Sequence, residues 1–164
     1  MKNIILIGMM GAGKTTVGEL LRARMKKTLV DTDRLIEAQA GLTIPEIFET
    51  EGEGYFRALE LGVAQALSIR EDLIVACGGG LPTQEAAMAA LAETGTVVWL
   101  DRDPGEIYDR EDLGDRPLAQ EGREAFLERA EERRSVYEKW AQVRVTDFTS
   151  PVSTAARVWE AVRE

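Results

Sequence analysis

The feature that most constrains this chain is a glycine-rich stretch close to its start. A run of mostly apolar residues, 2–7 (KNIILI), leads into residues 8–15 (GMMGAGKT), which match G-x-x-x-x-G-K-[ST]. Glycines let the backbone curl so that amide N–H groups and a helix N-terminus converge on one anion, while Lys14 adds a positive charge. Thr15 can offer its hydroxyl to Mg²⁺. The alternative is a plain tight turn, but the apolar run before the motif and the helical stretch 16–25 after it favour nucleotide phosphate binding.

Length and composition limit the classes of protein to which this chain can belong. At 164 residues we expect one domain, residues 1–164. The chain has no histidine and its one cysteine is Cys77, which excludes His-dependent catalysis, an internal disulfide and a cysteine-based zinc site. A net charge of -9 disfavours nucleic acid and anionic membranes as partners, so an anionic substrate needs a local basic cluster. No apolar stretch reaches the length of about 18 residues that a membrane span needs, and no signal peptide is evident, so we expect a cytoplasmic protein.

Strand-like and helix-like segments alternate along the chain. Strands are predicted at residues 2–7, 28–30, 73–77, 96–100 and 143–145. Helices are predicted at residues 16–25, 34–40, 44–50, 54–70, 86–92, 105–110, 123–141 and 154–162. This alternation predicts a parallel sheet with helices on both faces and ligands at the carboxyl ends of the strands.

Two aspartates follow the second predicted strand. Asp31 and Asp33 lie two residues apart, so in an extended backbone their side chains would point to opposite sides. Phosphoryl transfer needs one carboxylate to orient the attacking hydroxyl and another to anchor Mg²⁺ or its waters. The residue pattern fits equally well a plain N-cap of the helix that follows.

Three consecutive glycines, residues 78–80, follow the third predicted strand. A plain turn needs only one glycine, and each glycine costs backbone entropy on folding. Close approach of a ligand to the backbone is therefore the better explanation of the run. Cys77 in the strand end is interpreted as a small core residue.

Arginines supply the candidate cations. The helix over residues 123–141 has an apolar stripe at Phe126, Ala130, Tyr137 and Ala141, and Arg133 lies on the same inward side. A buried arginine needs an anionic partner, so Arg133 is either half of an ion pair or a ligand clamp. Arg57 follows Glu53 by one helical turn, which favours an ordinary exposed ion pair. The polar stretch 109–122 is either a surface loop or a lid whose cation would be Arg116.

Six segments together resemble the shikimate kinases, in that family's order and with similar separations. They are residues 8–15, Asp31-Thr32-Asp33, residues 52–57 (GEGYFR), Gly78-Gly79-Gly80, Arg116-Pro117-Leu118, and Arg133 with Tyr137. The resemblance implies an α/β fold, a P-loop NTPase-type three-layer sandwich related to nucleoside monophosphate kinases. Its five-stranded parallel sheet would have the order 2-3-1-4-5. A substrate-binding segment is then expected at about residues 31–58 and a mobile lid at about residues 109–122.

The same resemblance assigns residue roles. By this resemblance the second aspartate of the D-T-D motif, Asp33 here, would act as the catalytic base, and Asp31 with Thr15 would serve Mg²⁺. Arg57 and Arg133 would bind the shikimate carboxylate, and Lys14 and Arg116 would neutralise charge during transfer. The implied shikimate contacts are Asp33, Arg57, Gly78, Gly79, Gly80 and Arg133. The implied ATP contacts are Gly11, Ala12, Gly13, Lys14, Thr15, Thr16, Arg110, Arg116 and Pro151.

The activity implied by the resemblance is transfer of the γ-phosphoryl group of ATP to the 3-hydroxyl of shikimate, with Mg²⁺, on the route to chorismate and the aromatic amino acids. A monomer is expected. A related kinase acting on gluconate and a non-catalytic ATP-binding switch are the alternatives. The sequence departs from many members where Arg134 and Ser135 stand in place of a variable residue and proline, in its short acidic stretch before Arg116, and in lacking basic residues near Pro151.

Overall fold

The fold is built on one parallel sheet. The computed structural model describes residues 2–110 and 122–163. Its five strands lie in the order β2-β3-β1-β4-β5, and every neighbouring pair is parallel, which confirms the predicted order. The strands are β1 Asn3–Ile7, β2 Thr28–Asp31, β3 Leu73–Ala76, β4 Gly95–Leu100 and β5 Val143–Val145.

Helices connect the strands, as parallel strands require. Those in the described ranges are α1 Lys14–Met25, α2 Thr32–Ala40, α3 Ile44–Thr50, α4 Glu53–Ser68, α5 Glu85–Thr94, α6 Pro104–Arg110, α7 Arg123–Trp140 and α8 Pro151–Val162. A short 3₁₀ helix, Leu81–Thr83, follows the glycine run and was not predicted. No helix in residues 2–110 or 122–163 has the length and apolar character that crossing a bilayer requires.

Local capping explains two of the helix starts that were predicted wrongly. Helix α2 begins at Thr32 rather than at residue 34, because the Asp31 carboxylate accepts the first backbone N–H groups of the helix. Helix α8 begins at Pro151 rather than at residue 154, because Ser150 caps it and proline fits the first helical position. Helix α3 has the predicted bounds, and a reciprocal capping box between Thr43 and Glu46 fixes its start.

The core lies on both faces of the three central strands. Strand β1 is buried along its whole length, and its central residue Ile5 pairs with Val75 of β3 on one side and Val97 of β4 on the other. This continuous apolar character is typical of a parallel strand covered on both faces. Since the strands are parallel and in register, the carboxyl ends of β1, β2 and β3 meet at one edge of the sheet. The predicted site segments follow those three ends.

Candidate active site

The phosphate-binding loop joins β1 to α1. Gly13 occupies the N-cap position of α1 with φ 100°, a left-handed conformation that glycine adopts without strain, and no side chain caps the helix. The Lys14 ammonium donates to the backbone carbonyls of Gly8 at 2.7 Å and Met9 at 2.8 Å, so its charge lies over the loop. An uncapped helix start carries partial positive charge, and Lys14 adds to it, so this end of the sheet attracts anions. Gly11 and Ala12 lie in the loop, and Thr15 and Thr16 lie in the first turn of α1.

Asp31 links the loop to the second strand. The Thr15 hydroxyl donates to Asp31 Oδ2 at 2.7 Å, while Asp31 Oδ1 accepts from the backbone N–H groups of Asp33 at 3.0 Å and Arg34 at 3.2 Å. The sequence left open an N-cap or a role in phosphoryl transfer for the two aspartates. Asp31 is the N-cap of α2, and its other carboxylate oxygen contacts the Thr15 hydroxyl. No group of three or more acidic or cysteine side chains in the described ranges could by itself hold a metal ion. A hydroxyl and one carboxylate nevertheless fit Mg²⁺, which commonly takes its remaining ligands from water and substrate phosphates.

Asp33 lies against the start of the glycine run. A Cβ atom added at Gly78 would collide with Asp33 Oδ1, so the lack of a side chain at Gly78 lets the carboxylate approach the backbone. The Gly78 N–H donates to the hydroxyl of Thr32 at 2.9 Å, which fixes the end of β3 to the start of α2. Burial raises the pKa of the neighbouring Cys77 thiol, which keeps it protonated and is consistent with a core role.

Two guanidinium groups converge on Gly80. A Cβ there would lie 2.8 Å from Arg57 Nη1 and Nη2 and 3.0 Å from Arg133 Nη2, although the two arginines come from α4 and α7. Arg133 is 6% exposed, and burial lowers the pKa of its guanidinium from the ordinary value. No carboxylate in residues 2–110 or 122–163 forms an ion pair with Arg133, so within these ranges the ligand-clamp interpretation of this residue is favoured over the ion-pair interpretation. A buried cation of this kind favours an anionic ligand.

Tyr137 fixes the position of the glycine run relative to α7. Its hydroxyl donates to the Gly79 carbonyl at 2.7 Å, lies 3.5 Å from Met9 Sδ, and interacts with the Arg133 guanidinium. Burial raises the pKa of Tyr137 to about 12, so the hydroxyl remains a donor near neutral pH. The tyrosine therefore holds together the backbone of the glycine run and one of the two cations.

Glu60 and Gln84 were not predicted as site residues. Arg57 pairs with the exposed Glu53 at 3.3 Å, as the sequence predicts, but also with Glu60 at 2.5 Å. Glu60 is 1% exposed, and its Oε1 also accepts from Gln84 Nε2 at 2.8 Å. Burial raises the pKa of Glu60, and the Arg57 charge and both hydrogen bonds oppose that rise. In the sequence, Glu60 follows Arg57 by three residues, a spacing that is common for ion pairs on exposed helix surfaces. Gln84 belongs to no recognisable motif.

Comparison with known proteins decides the family. The sequence profile of the family described as shikimate kinase matches residues 10–163. The shikimate kinase of Symbiobacterium thermophilum is 41% identical over 170 aligned positions, which cover 99% of this chain and 97% of that protein. The chain belongs to the shikimate kinase family. The resemblance drawn from the six sequence segments is thereby confirmed.

Solved structures agree with this family. A shikimate kinase from Acinetobacter baumannii in complex with shikimate superposes with a TM-score of 0.91 at 36% identity, covering 99% of this chain and 93% of that one. A gluconokinase from Sinorhizobium meliloti has a TM-score of 0.59 at 15% identity, covering 98% of this chain and 95% of that one, and shares the fold alone. The P-loop kinase architecture is therefore confirmed, and the gluconate alternative is not favoured.

The predicted adenine contacts are not brought together by a direct interaction. Arg110 ends α6, and its exposed side chain pairs with Glu106 at 3.9 Å, whereas Pro151 begins α8. In the described part of the chain, no hydrogen bond, ion pair or ring contact joins Arg110 to Pro151. Arg116 and residues 111–121 of the predicted lid lie outside the described residues.

The departure from shikimate kinase sequences at Arg134 has a structural explanation. Arg134 lies 3.6 Å from Asp101 Oδ1 at the end of β4 and 5.3 Å from the centre of the Trp99 ring. Asp101 also pairs with Arg144 of β5 at 2.6 Å. Arg134 thus fixes α7 to the end of β4 and, through Asp101, to the edge strand β5, and it helps to hold the helix that carries Arg133.

Proposed function

We propose that this chain phosphorylates shikimate at its 3-hydroxyl, with ATP as donor and ADP as second product. The convergence of Arg57 and Arg133 on Gly80 is the observation that carries the proposal. Two cations at one backbone position suit a carboxylate, because guanidinium groups bind carboxylates through paired hydrogen bonds. This cation pair lies beside the glycine run, at the same carboxyl edge of the sheet as the phosphate-binding loop. A small hydroxylated carboxylate fits such an arrangement, and membership of the shikimate kinase family supports shikimate as that compound.

The nucleotide half of the site would hold ATP and Mg²⁺. In our proposal the backbone of Gly11, Ala12 and Gly13 and the start of α1 bind the phosphates, with Lys14 exchanging its bonds to the loop carbonyls for phosphate oxygens. Thr15 and Asp31 would hold Mg²⁺, with Asp31 acting through water. When bound by these two residues, Mg²⁺ would supply positive charge against the phosphates. The Thr15 to Asp31 hydrogen bond of 2.7 Å supports this pairing, since it already brings hydroxyl and carboxylate together.

The acceptor half would orient the attacking hydroxyl. Asp33 is proposed to accept the proton of the 3-hydroxyl as its oxygen bonds to the γ-phosphorus and the bond from that phosphorus to the ADP oxygen breaks. Gly78, Gly79 and Gly80 would contact the ring of shikimate through their backbone. The Asp33 carboxylate lies close to Gly78, and this proximity to the proposed ring contacts supports the role of Asp33. Catalysis in this scheme comes from positioning and charge neutralisation.

Other parts of the proposal concern the rest of the chain. We assign the acceptor to a segment at about residues 31–58 and a lid to about residues 109–122, with Arg116 supplying charge over the phosphates. Arg110 and Pro151 would contact adenine. We further propose one catalytic domain over residues 1–164, a monomer, and a cytoplasmic location.

A coupled assay of ADP formation tests the proposed function. The purified chain with Mg²⁺ and ATP is given shikimate, gluconate or no acceptor. We expect turnover with shikimate and only background in the other two reactions. Turnover with gluconate but not shikimate would refute the substrate, and equal background in all three would favour a non-catalytic nucleotide switch.

The carboxylate clamp is tested separately with Arg57→Ala. Removing one of two charge-assisted partners should raise the KM for shikimate by about ten-fold to one-hundred-fold. The KM for ATP should change by less than about two-fold, because Arg57 lies on the acceptor side. Equal increases in both constants would contradict the assignment of Arg57 to the acceptor carboxylate.

A further inference from the structure

Gln84 has an unusual position at the start of α5. It is the N-cap residue of that helix, and its carbonyl accepts from the N–H of Met88 at 3.0 Å. Its side chain makes no capping hydrogen bond. Serine, threonine, aspartate and asparagine are preferred at this position because their short side chains reach the first free N–H groups, and glutamine is not among them. The side chain of Gln84 is therefore engaged elsewhere, at some cost to the start of α5.

That engagement is with Glu60. Gln84 Nε2 donates at 2.8 Å to Glu60 Oε1, the same oxygen that accepts from Arg57 Nη1 at 2.5 Å. The torsion that turns a glutamate carboxylate is broad, so a carboxylate held by one donor is poorly oriented. Glu60 is almost fully buried, which removes water as an alternative donor and leaves its orientation to Gln84 and Arg57.

Arg57 has a second carboxylate available. Glu53, one turn earlier on α4, lies 3.3 Å from Arg57 Nη2, and its side chain is 65% exposed. A weaker hold by Glu60 would let the guanidinium turn toward Glu53 and solvent. Such a turn would separate Arg57 from Gly80 and from Arg133. The orientation of Glu60 thus determines whether Arg57 remains at the proposed carboxylate site.

We propose that Gln84 is a positioning residue for substrate binding: it orients Glu60 so that Arg57 stays beside Gly80 and Arg133, where the acceptor carboxylate binds. This role rests on the proposed function. Gln84 itself touches neither substrate nor nucleotide in this scheme. Its effect should therefore be confined to acceptors that carry a carboxylate.

Two replacements of Gln84 and one control test the proposal. Gln84→Met keeps the length of the side chain and removes the donor, whereas Gln84→Ser removes the donor and adds a residue suited to cap α5. Gln65→Met makes the first change at an exposed position of α4. Initial rates are measured with shikimate varied at saturating ATP and with ATP varied at saturating shikimate. The same rates are measured with methyl shikimate, in which an ester replaces the carboxylate, and thermal unfolding is followed for each variant.

Both Gln84 variants should raise the KM for shikimate by about ten-fold, as expected from the loss of a hydrogen bond to a charged group, with kcat and the KM for ATP changed by less than about two-fold. The kcat/KM for methyl shikimate should change by less than about two-fold, because the ester cannot form the ion pair. Gln84→Ser should unfold at or above the temperature of the unchanged protein while showing the kinetic defect. Gln65→Met should match the unchanged protein in every constant.

Other outcomes separate the inference from the proposed function. Shikimate KM values within about two-fold of the unchanged protein in both Gln84 variants would overturn the role of Gln84. An equal loss with methyl shikimate would overturn it as well, because the defect would then not depend on the carboxylate. An unchanged protein that does not phosphorylate shikimate would refute the proposed function and, with it, this role of Gln84.

Discussion

Gly80→Ala is the sharpest perturbation of the proposed carboxylate site. The new methyl group would lie 2.8 Å from two nitrogens of Arg57 and 3.0 Å from one nitrogen of Arg133, which is 0.6 Å and 0.4 Å less than ordinary van der Waals contact at 3.4 Å. Both guanidinium groups must therefore move. Each charge-assisted hydrogen-bonding group contributes about 1.5–3 kcal/mol, and losing about half of each of the two amounts to about 1.5–3 kcal/mol in total. We expect the KM for shikimate to rise by about 10-fold to 150-fold.

Stability should change little in the same variant. Gly80 has φ -93° and ψ -6°, a conformation that alanine adopts without strain, and the atoms that must move are the ends of flexible side chains. Alanine also reduces the entropy of the unfolded chain, which offsets part of the crowding. We expect the free energy of unfolding, measured by urea denaturation, to stay within about 1 kcal/mol of the original value.

The matched control is Gly62→Ala on α4, where an added Cβ has no neighbour within 4 Å. It should leave the KM for shikimate unchanged and raise the free energy of unfolding by about 0.5–1 kcal/mol, since alanine favours helix. A coupled assay with varied shikimate measures all three proteins. A KM for Gly80→Ala within about three-fold of the original value would refute the convergence of the two cations on the acceptor carboxylate.

Three further predictions concern single groups. Asp33→Asn should lower kcat by about 100-fold or more with little change in ATP affinity by calorimetry, and near-normal turnover would refute Asp33 as the base. Tyr137→Phe should lower the free energy of unfolding by about 1–3 kcal/mol in urea, because the Gly79 carbonyl loses its donor, and an unchanged value would mean that this bond contributes nothing. Hydrogen bonds from Ser153 and Thr149 lower the pKa of Asp147, so its ionised form stabilises the fold above the ordinary pKa of 3.8. Asp147→Asn should therefore lower the Tm at pH 7, and the Tm difference from the unchanged protein should narrow in scans below about pH 4. A Tm difference that stays constant with pH would contradict this role of Asp147.

Much of the fold could be predicted because short stretches of the sequence identify individual strands and helices. Residues 4–7 are apolar without alternation, which is typical of a strand buried on both faces, and the phosphate-binding loop indicates the helix that follows. The helix predicted at residues 44–50 has those bounds in the structure, where a capping box between Thr43 and Glu46 fixes its start. The 3₁₀ helix Leu81–Thr83 has no such signal, since it arises from backbone hydrogen bonds. The N–H groups of Leu81 and Thr83 donate to the carbonyls of Gly78 and Gly80, and the Gln84 N–H donates to the Leu81 carbonyl.

The candidate site could be predicted only at positions where the type of residue limits the chemistry that is possible there. The glycine run predicted close approach of a ligand to the backbone. In the structure, charged side chains lie against Gly78 and Gly80. The alternatives for Arg133 could not be separated, because the sequence does not say which carboxylates reach α7. Glu60 was missed for a related reason: a glutamate on an amphipathic helix is ordinary until tertiary packing buries it. Gln84 lies on a different helix from its partner, and only the packing of α4 against α5 brings the two together.

The strand order also bears on how acceptor preference can evolve. Asp33, Arg57, Glu60, Gly80 and Gln84 fall within one continuous stretch between α1 and β4, on the β2-β3 side of the central strand. The phosphate-binding loop precedes that stretch, and α7 adds Arg133 from beyond it. Recombination that exchanges this one block would therefore replace most of the proposed acceptor contacts while keeping the phosphate-binding loop, although Asp31 of the proposed Mg²⁺ site would be exchanged with it and Arg133 would stay.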